Sequence, residues 1–405
     1  MDLKDLMSGM AVVIDDEIGE VATGGDDDEA STGDDDERDL VNEIVAQFEE
    51  EWCTPFYRTN EMPPQDTWDN LLQSAGFVLL DWKLWKGNAP ELEAFSVERN
   101  LRFLRRAKTY AVPVFIFTNE NPDDVTYHLE AIYEGESLER SFVFVQRKNE
   151  LLAERKLRLD AVERWIENNA SVYTLKTWDK ALREARRDLF GVMYARNPDW
   201  PRVFWQEYAK DGVDPSAALT DLINDSLRGR MRTDTFEKEM LERDVEELDV
   251  PGEDIHALLG ATSFLEMLPE DEVRCGDLFA SDDDTFLLNI RPDCDCIPRN
   301  GLTVEEVDLY CIEGTIMEPS ELRKAYRPGG GYVLERVNQA IVVAAGAGRN
   351  VTFSFEKLHI EKFGARKEQR VGRLLHPHVT RIQQRYALYL QRQGLPRIPP
   401  QAVPQ

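Results

Sequence analysis

The chain has 405 residues, and its 42% hydrophobic fraction can build cores for two to three domains. With 77 acidic against 48 basic residues the formal net charge is −29, which argues against a general charge-driven nucleic-acid binder, because phosphate contacts need a positive face. No apolar run approaches the ~20 residues of a membrane helix, MDLKDLMSGM lacks a signal-peptide layout, and five cysteines do not make a disulfide scaffold, so the expectation is a soluble, cytoplasmic protein.

The short apolar run Ala11 to Ile14 reads as a buried strand and ends in Asp15, Asp16 and Glu17. Residues 20–39 follow, an insertion with ten acidic residues and one Arg; it cannot bury apolar area and is expected to be a disordered loop. Leu40, Ile44, Val45 and Phe48 share a helical stripe. Tyr57 to Thr59 is a weak strand, and Leu71 and Leu72 end another helix. Phe77 to Leu80 is an apolar strand ending on Asp81. Val97, Leu101, Leu104 and Ala107 mark a helix, and Val112 to Phe117 is a strand ending on Thr118. Pro122 suits a helix start, with Val125 to Ile132 continuing it. Phe142 to Val145 is a further strand, followed by Gln146, Arg147 and Lys148. Strands that are apolar throughout and alternate with helices indicate a doubly wound parallel sheet over residues 1–150.

Residues 151–250 read as several helices and a linker, broken at Pro198 to Pro201 and offering a surface for a homodimer. Residues 251–405 change style. Asp277 to Phe279, Phe286 to Ile290, Leu309 to Ile312, Gly331 to Leu334, Ile341 to Ala345 and Val351 to Phe355 are short β-like runs separated by Gly, Pro and Asp. They predict a small β-rich domain closed by an amphipathic helix through Val379, Ile382, Tyr386 and Tyr389.

In an open parallel sheet functional groups gather at the carboxyl ends of the strands. Here those ends carry Asp15 and Asp16, Asp81, Thr118, and Lys148 or Arg147. Clustered carboxylates repel one another, and a hard divalent cation such as Mg²⁺ relieves that with oxygen ligands. Asp15, Asp16 and Asp81 can supply them, and Asp81 can also attack phosphorus to give an acyl phosphate. A lysine then offsets charge on the transferring oxygens, and a threonine hydroxyl can donate to one of them. The plainer alternatives are helix-capping roles for the aspartates and Thr118 and a solvated surface position for Lys148.

These pieces, AVVIDDE (11–17), FVLLDWKLW (77–85), VPVFIFTNE (112–120) and FVFVQRK (142–148), resemble the receiver domain of two-component response regulators. The resemblance covers residues 8 to 150 and implies a flavodoxin-like fold. It implies Mg²⁺ on Asp15, Asp16 and Asp81, phosphate acceptance by Asp81 from a sensor histidine kinase, and supporting roles for Thr118 and Lys148. The Pro typical after the family's Lys is absent. LLNIRPDCDCIP and RYALYLQRQGLP resemble the C-terminal domain that accompanies receivers in bacterial conflict systems. That likeness implies a receiver of a Detocs-type anti-phage operon, which absorbs phosphate beside a second, effector-bearing regulator. Two rivals are a pseudo-receiver interaction scaffold and an aspartate-nucleophile phosphohydrolase; the latter is disfavoured by Lys83, where such enzymes place a second Asp. A transcription factor ranks low without a helix-turn-helix pattern.

Elsewhere, Cys275, Cys294, Cys296 and Cys311 lack zinc-site spacing and are expected to be buried free thiols. His359, His376 and His378 have no metal-motif spacing. Lys362 to Arg397 holds nine basic residues and one acidic one, Glu368; it reads as a solvated face or one docking on acidic surface, with nucleic acid disfavoured. Gly329 to Gly331 is expected to be a turn between strands.

Overall fold

The computed structural model describes residues 7, 9–18, 33–84, 90–130, 132–133, 141–153, 156–157, 160–233, 235–242, 250–282, 284–299, 301–346, 348–392 and 399. The chain forms two compact units, residues 1–191 with 227–246, and residues 192–226 with 247–405. Among the described residues no helix is long and apolar enough to cross a membrane.

The first unit is built on five parallel strands: β1 (Met10–Ile14), β2 (Phe56–Thr59), β3 (Ala75–Leu80), β4 (Val114–Thr118) and β5 (Val143–Arg147). Their order is β2-β1-β3-β4-β5, the flavodoxin-like doubly wound order. Strict alternation along the strands divides the core in two. Val13, Phe77, Leu79, Phe115 and Phe117 face one side with Val41, Ile44, Val45 and Phe48 of α1 (Gly33–Trp52). Val12, Ile14, Val78, Leu80, Val114 and Ile116 face the other. There they meet α2 (Trp68–Ser74), α3 (Pro90–Thr109) and α4 (Pro122–Glu130) through Leu72, Phe103, Leu104, Val125 and Leu129. Helices on both faces are what two-sided apolar strands require.

The expected loop over 20–39 is corrected in part. Residues 19–32 lie outside the described residues, but α1 already begins at Gly33. Helix propagation from the buried stripe carries the backbone back through GDDDE, whose residue types suit a helix N-terminus. The region 151–250 does not stand as a body of its own. A short helix α5 (Lys148–Leu151), then α6 (Asp160–Asn168) and most of α7 (Ala170–Arg196) belong to the first unit. Val162, Trp165, Ile166, Val172 and Tyr173 of α6 and α7 join the α1 side of the sheet core, which is the physical reason. Asn169 caps α7: its Oδ1 accepts the Val172 N–H at 3.1 Å, and its Nδ2 donates to the Ser141 carbonyl at 2.6 Å. The helix α8 (Trp200–Lys210) and most of α9 (Pro215–Arg228) belong to the second unit.

The second unit has β6 (Phe264–Leu265), β7 (Asp277–Asp282), β8 (Thr285–Asn289), β9 (Asp308–Ile316), β10 (Gln339–Val342), β11 (Val351–Lys362) and β12 (Arg370–Leu374). They form one antiparallel sheet in the order β10-β11-β9-β8-β7-β12-β6. The β-rich expectation therefore holds, although α10 (Gly252–Ser263), β6 and β12 were not legible in the hydropathy pattern. The closing helix is α11 (His378–Leu390), with Val379 and Ile382 fully buried against Phe353 and Phe355 of β11. Gly331, at φ 61°, turns the chain between the two-residue strands Tyr326–Arg327 and Tyr332–Val333, as expected of that glycine run.

Lys176 of α7 is 4% exposed and donates to the Gly76 carbonyl on β3. Burial pushes its ammonium down to about 8, with Asp179 offsetting only part of the effect. Below pH 8 folded and unfolded chains both carry this proton, and the full burial penalty acts against folding. Between pH 8 and 10.5 the folded lysine is neutral while the unfolded one stays charged, so the penalty fades as pH rises. Urea unfolding is therefore expected to show a stability gain over that window, on the order of 3 kcal/mol. In Lys176→Met this component should be missing; parallel pH profiles for the two proteins would show that Lys176 is not its source.

Candidate functional site

The sheet register brings the acidic tips together. β1 and β3 end on the pair Ile14 and Leu80, so Asp15 and Asp81 are the next residue on each strand. The Asp81 N–H donates to the Ile14 carbonyl at 2.8 Å, and the Asp15 N–H to the Thr59 carbonyl at 3.1 Å, which fixes both main chains. Carboxylate oxygens of Asp15, Asp16 and Asp81 lie within 4.8 Å of one another. Asp15 and Asp81 are buried, and Asp16 is half-buried.

One ammonium sits among them. Lys148, the first residue after β5, is 1% exposed. Its Nζ lies 3.0 Å from Asp15 Oδ2, 3.0 Å from Glu17 Oε2 and 3.3 Å from Asp81 Oδ2. Between the two cations weighed for this position the geometry decides for Lys148, because Arg147 is exposed. The strand's alternation explains why: Arg147 is the last residue of β5, and the chain turns into α5 at Lys148.

Three carboxylates, those of Asp15, Glu17 and Asp81, share this one lysine, and the electrostatics reflect the shortfall. Burial holds the Asp81 carboxyl well above its ordinary value, and Asp15 adds to that; the nearby lysine only partly opposes it. Burial likewise raises the Asp15 carboxyl against the pull of Lys148. For Lys148 burial works against the charge, but Asp81, Asp15 and Glu17 together raise its pKa. A dense set of hard oxygen donors with excess negative charge fits Mg²⁺, which binds through one or two carboxylates and keeps waters or phosphate oxygens. Asp15, Asp16 and Asp81 would hold it.

Thr118 is fully buried at the end of β4, in register with Arg147. Its Oγ1 accepts the Glu120 N–H at 3.1 Å, which leaves the hydroxyl proton to donate. Two participants escaped the sequence reading. Glu17, 8% exposed, donates its N–H to Asp15 Oδ1 at 3.0 Å and takes one of the lysine's bonds. Its only signal was adjacency to the aspartate pair. Asn100 is fully buried on α3 and donates to the Trp82 carbonyl at 2.7 Å, pinning the chain just past Asp81. A polar residue on the apolar face between Val97 and Leu104 was the signal there.

A void of only about 10 Å³ lies beside Asp15, Asp81 and Lys148, roofed by Val41, Ile44 and Val45 of α1. Nearby, a cavity of about 160 Å³ lies between α3 and α4, lined by Trp82, Val97, Val125 and His128, with Lys83 and Glu120 paired at 3.4 Å on its wall. Trp85 lies outside the described residues.

No family model, curated protein or solved structure matches this chain.

The other candidates settle into structural positions. Cys275, Cys296 and Cys311 are buried as expected, but Cys294 is exposed, because it sits on the outside of the single turn Asp293–Cys296. The basic segment is largely neutralised within its own unit: Arg370 and Arg373 meet Asp277, Arg381 and Arg385 meet Glu335, and Lys362 meets Asp308. Arg397 lies outside the described residues. His376 bonds Asp293 at 3.2 Å and Thr380 at 2.5 Å, and His359 stands 3.7 Å from Glu313.

Two outcomes follow. Lys148→Met strands buried carboxylates and should lower stability by ~3–5 kcal/mol in urea unfolding. Mg²⁺ should restore part of the loss by replacing the missing positive charge; an unfolding midpoint unmoved by the substitution would contradict the paired geometry. Of the five cysteines, Cys53 and Cys294 should alkylate quickly in the native protein. Burial hides the other three and pushes the Cys296 and Cys311 thiols up to about 12, so mass spectrometry should count two fast labels.

Proposed function

We propose that the chain is a phospho-accepting receiver protein whose acceptor is Asp81. The observation that carries this reading is Lys148, buried and in contact with Asp81, Asp15 and Glu17 at the carboxyl edge of a β2-β1-β3-β4-β5 sheet. A purely structural salt bridge needs one partner for one charge, whereas this lysine leaves the cluster anionic and able to take a divalent cation. In the proposed reaction an Asp81 carboxylate oxygen attacks the phosphorus of a phosphorylated imidazole on a sensor histidine kinase. The P–O bond forms as the P–N bond breaks, and the imidazole leaves carrying a proton. Mg²⁺ held by Asp15, Asp16 and Asp81 would offset charge on the phosphoryl oxygens. Lys148 pairs with one of those oxygens, and the Thr118 hydroxyl donates to another.

The pathway reading extends the resemblance of the sequence. The protein serves as a phosphate sink or regulator in a two-component-like, Detocs-type anti-phage system, located in the cytoplasm. It competes with a second, effector-bearing regulator for the kinase's phosphate, and its helices pair two copies. The second reading, a pseudo-receiver scaffold, is favoured by one observation: Asp81 is only 6% exposed, with about 10 Å³ of space beside it. A phosphohydrolase is less well supported, because Lys83, at the position of a second acid, is engaged with Glu120.

Incubation with a small phosphodonor and Mg²⁺ should add one phosphate by intact mass, and Asp81→Asn should abolish it. Mg²⁺ should also change the emission of Trp82, which is buried directly beside Asp81. A wild-type mass unchanged across several donors, with flat fluorescence, would favour the scaffold.

A further inference from the structure

We propose that Glu17 is a positioning residue that competes with the Asp81 phosphoryl group for Lys148, and so holds down the equilibrium occupancy of the phosphorylated state. This rests on the phospho-acceptor reading. A lysine ammonium has three N–H donors and no more. In this structure its three close partners are Asp15 at 3.0 Å, Glu17 at 3.0 Å and Asp81 at 3.3 Å. Asp15 and Asp81 belong to the group whose oxygens converge within 4.8 Å for a metal ion; Glu17 does not. A metal would therefore draw on Asp15 and Asp81 and leave the Glu17 bond to Lys148 in place.

A phosphoryl group on Asp81 brings three further oxygens that need positive charge. Apart from the metal, Lys148 is the only cation in contact with Asp81 among the described residues, and at 1% exposed it meets the phosphoryl oxygens from inside the site. Lys148 can serve the phosphoryl oxygens fully only by releasing an existing partner. Glu17 is the partner that metal binding does not loosen. Its main chain is anchored as well, with its N–H on Asp15 Oδ1 at 3.0 Å, so the carboxylate is held in its competing position. Its own negative charge adds repulsion toward the incoming oxygens.

The consequence is a gain of function on substitution. The probe is beryllofluoride, a reversible phosphoryl mimic, titrated by calorimetry at saturating Mg²⁺ so that changes in metal affinity do not enter. Wild type should bind it and Asp81→Asn should not. Glu17→Gln, which keeps the shape and removes the charge, should bind ~10-fold or more tightly, the scale of one charge-assisted hydrogen bond. Glu17→Asp, which keeps the charge, should lie between wild type and Glu17→Gln. Tighter binding is a result that partial unfolding cannot mimic, so a purely structural role for Glu17 predicts the opposite sign. If wild type binds and Glu17→Gln binds equally or more weakly, the competition is disproved while the acceptor reading stands. If wild type fails to bind at all, the acceptor reading falls and the competition with it.

Discussion

Everything at the carboxyl edge of the first unit depends on one ammonium group buried among carboxylates. Removing charges from water is costly, and a buried ion survives only with close, well-aligned partners. Lys148 meets that demand with three oxygens between 3.0 and 3.3 Å. The carboxylates do not have the same satisfaction, because Asp15, Glu17 and Asp81 must share it. The imbalance is compatible with a divalent cation held by Asp15, Asp16 and Asp81.

The second unit shows what a balanced arrangement looks like. Asp277 is fully buried on β7, yet it faces two guanidiniums, Arg373 at 2.5 Å and Arg370 at 3.3 Å, and its Oδ2 also accepts the Arg274 N–H at 3.1 Å. Arg373 in turn reaches Glu272 at 2.8 Å. Here cations match carboxylates, so the network pins β7 to β12 and has no call on further charge. Two buried aspartates in one chain thus differ in consequence because of the number of cations around them.

The parallel sheet could be anticipated because both of its faces are covered. Strands such as Val12–Val13–Ile14 and Phe77–Val78–Leu79–Leu80 are apolar at every position, and their shortness and β-branched residues favour a covered strand over a buried helix segment. β2 was faint because it is an edge strand, with Tyr57 and Arg58 turned to solvent. β12 was invisible because Arg370 and Arg373 disguise a strand whose charges are satisfied by Asp277, a partner 93 to 96 residues away. The same distance hid the role of Glu17: a carboxylate next to two others looks like solvated charge until the lysine from β5 arrives. The helices α6 and α7 announced an apolar face, but periodicity cannot say which sheet that face will meet. The acidic tips of β1 and β3 and the threonine of β4 were readable because strand ends fall where apolar runs stop. The choice between Arg147 and Lys148 was not, since it turns on the residue at which β5 gives way to α5.

The Glu17–Lys148 contact closes across 131 residues of chain. A ribosome delivers the acidic motif first and its counter-ion last, so during synthesis β1, β2, β3 and β4 can assemble while their tips still repel. The edge is thermodynamically incomplete until the fifth strand docks, which makes β5 the latch of the unit. A nascent chain halted before Lys148 would carry most of the sheet and lack the charge that lets its tips lie side by side.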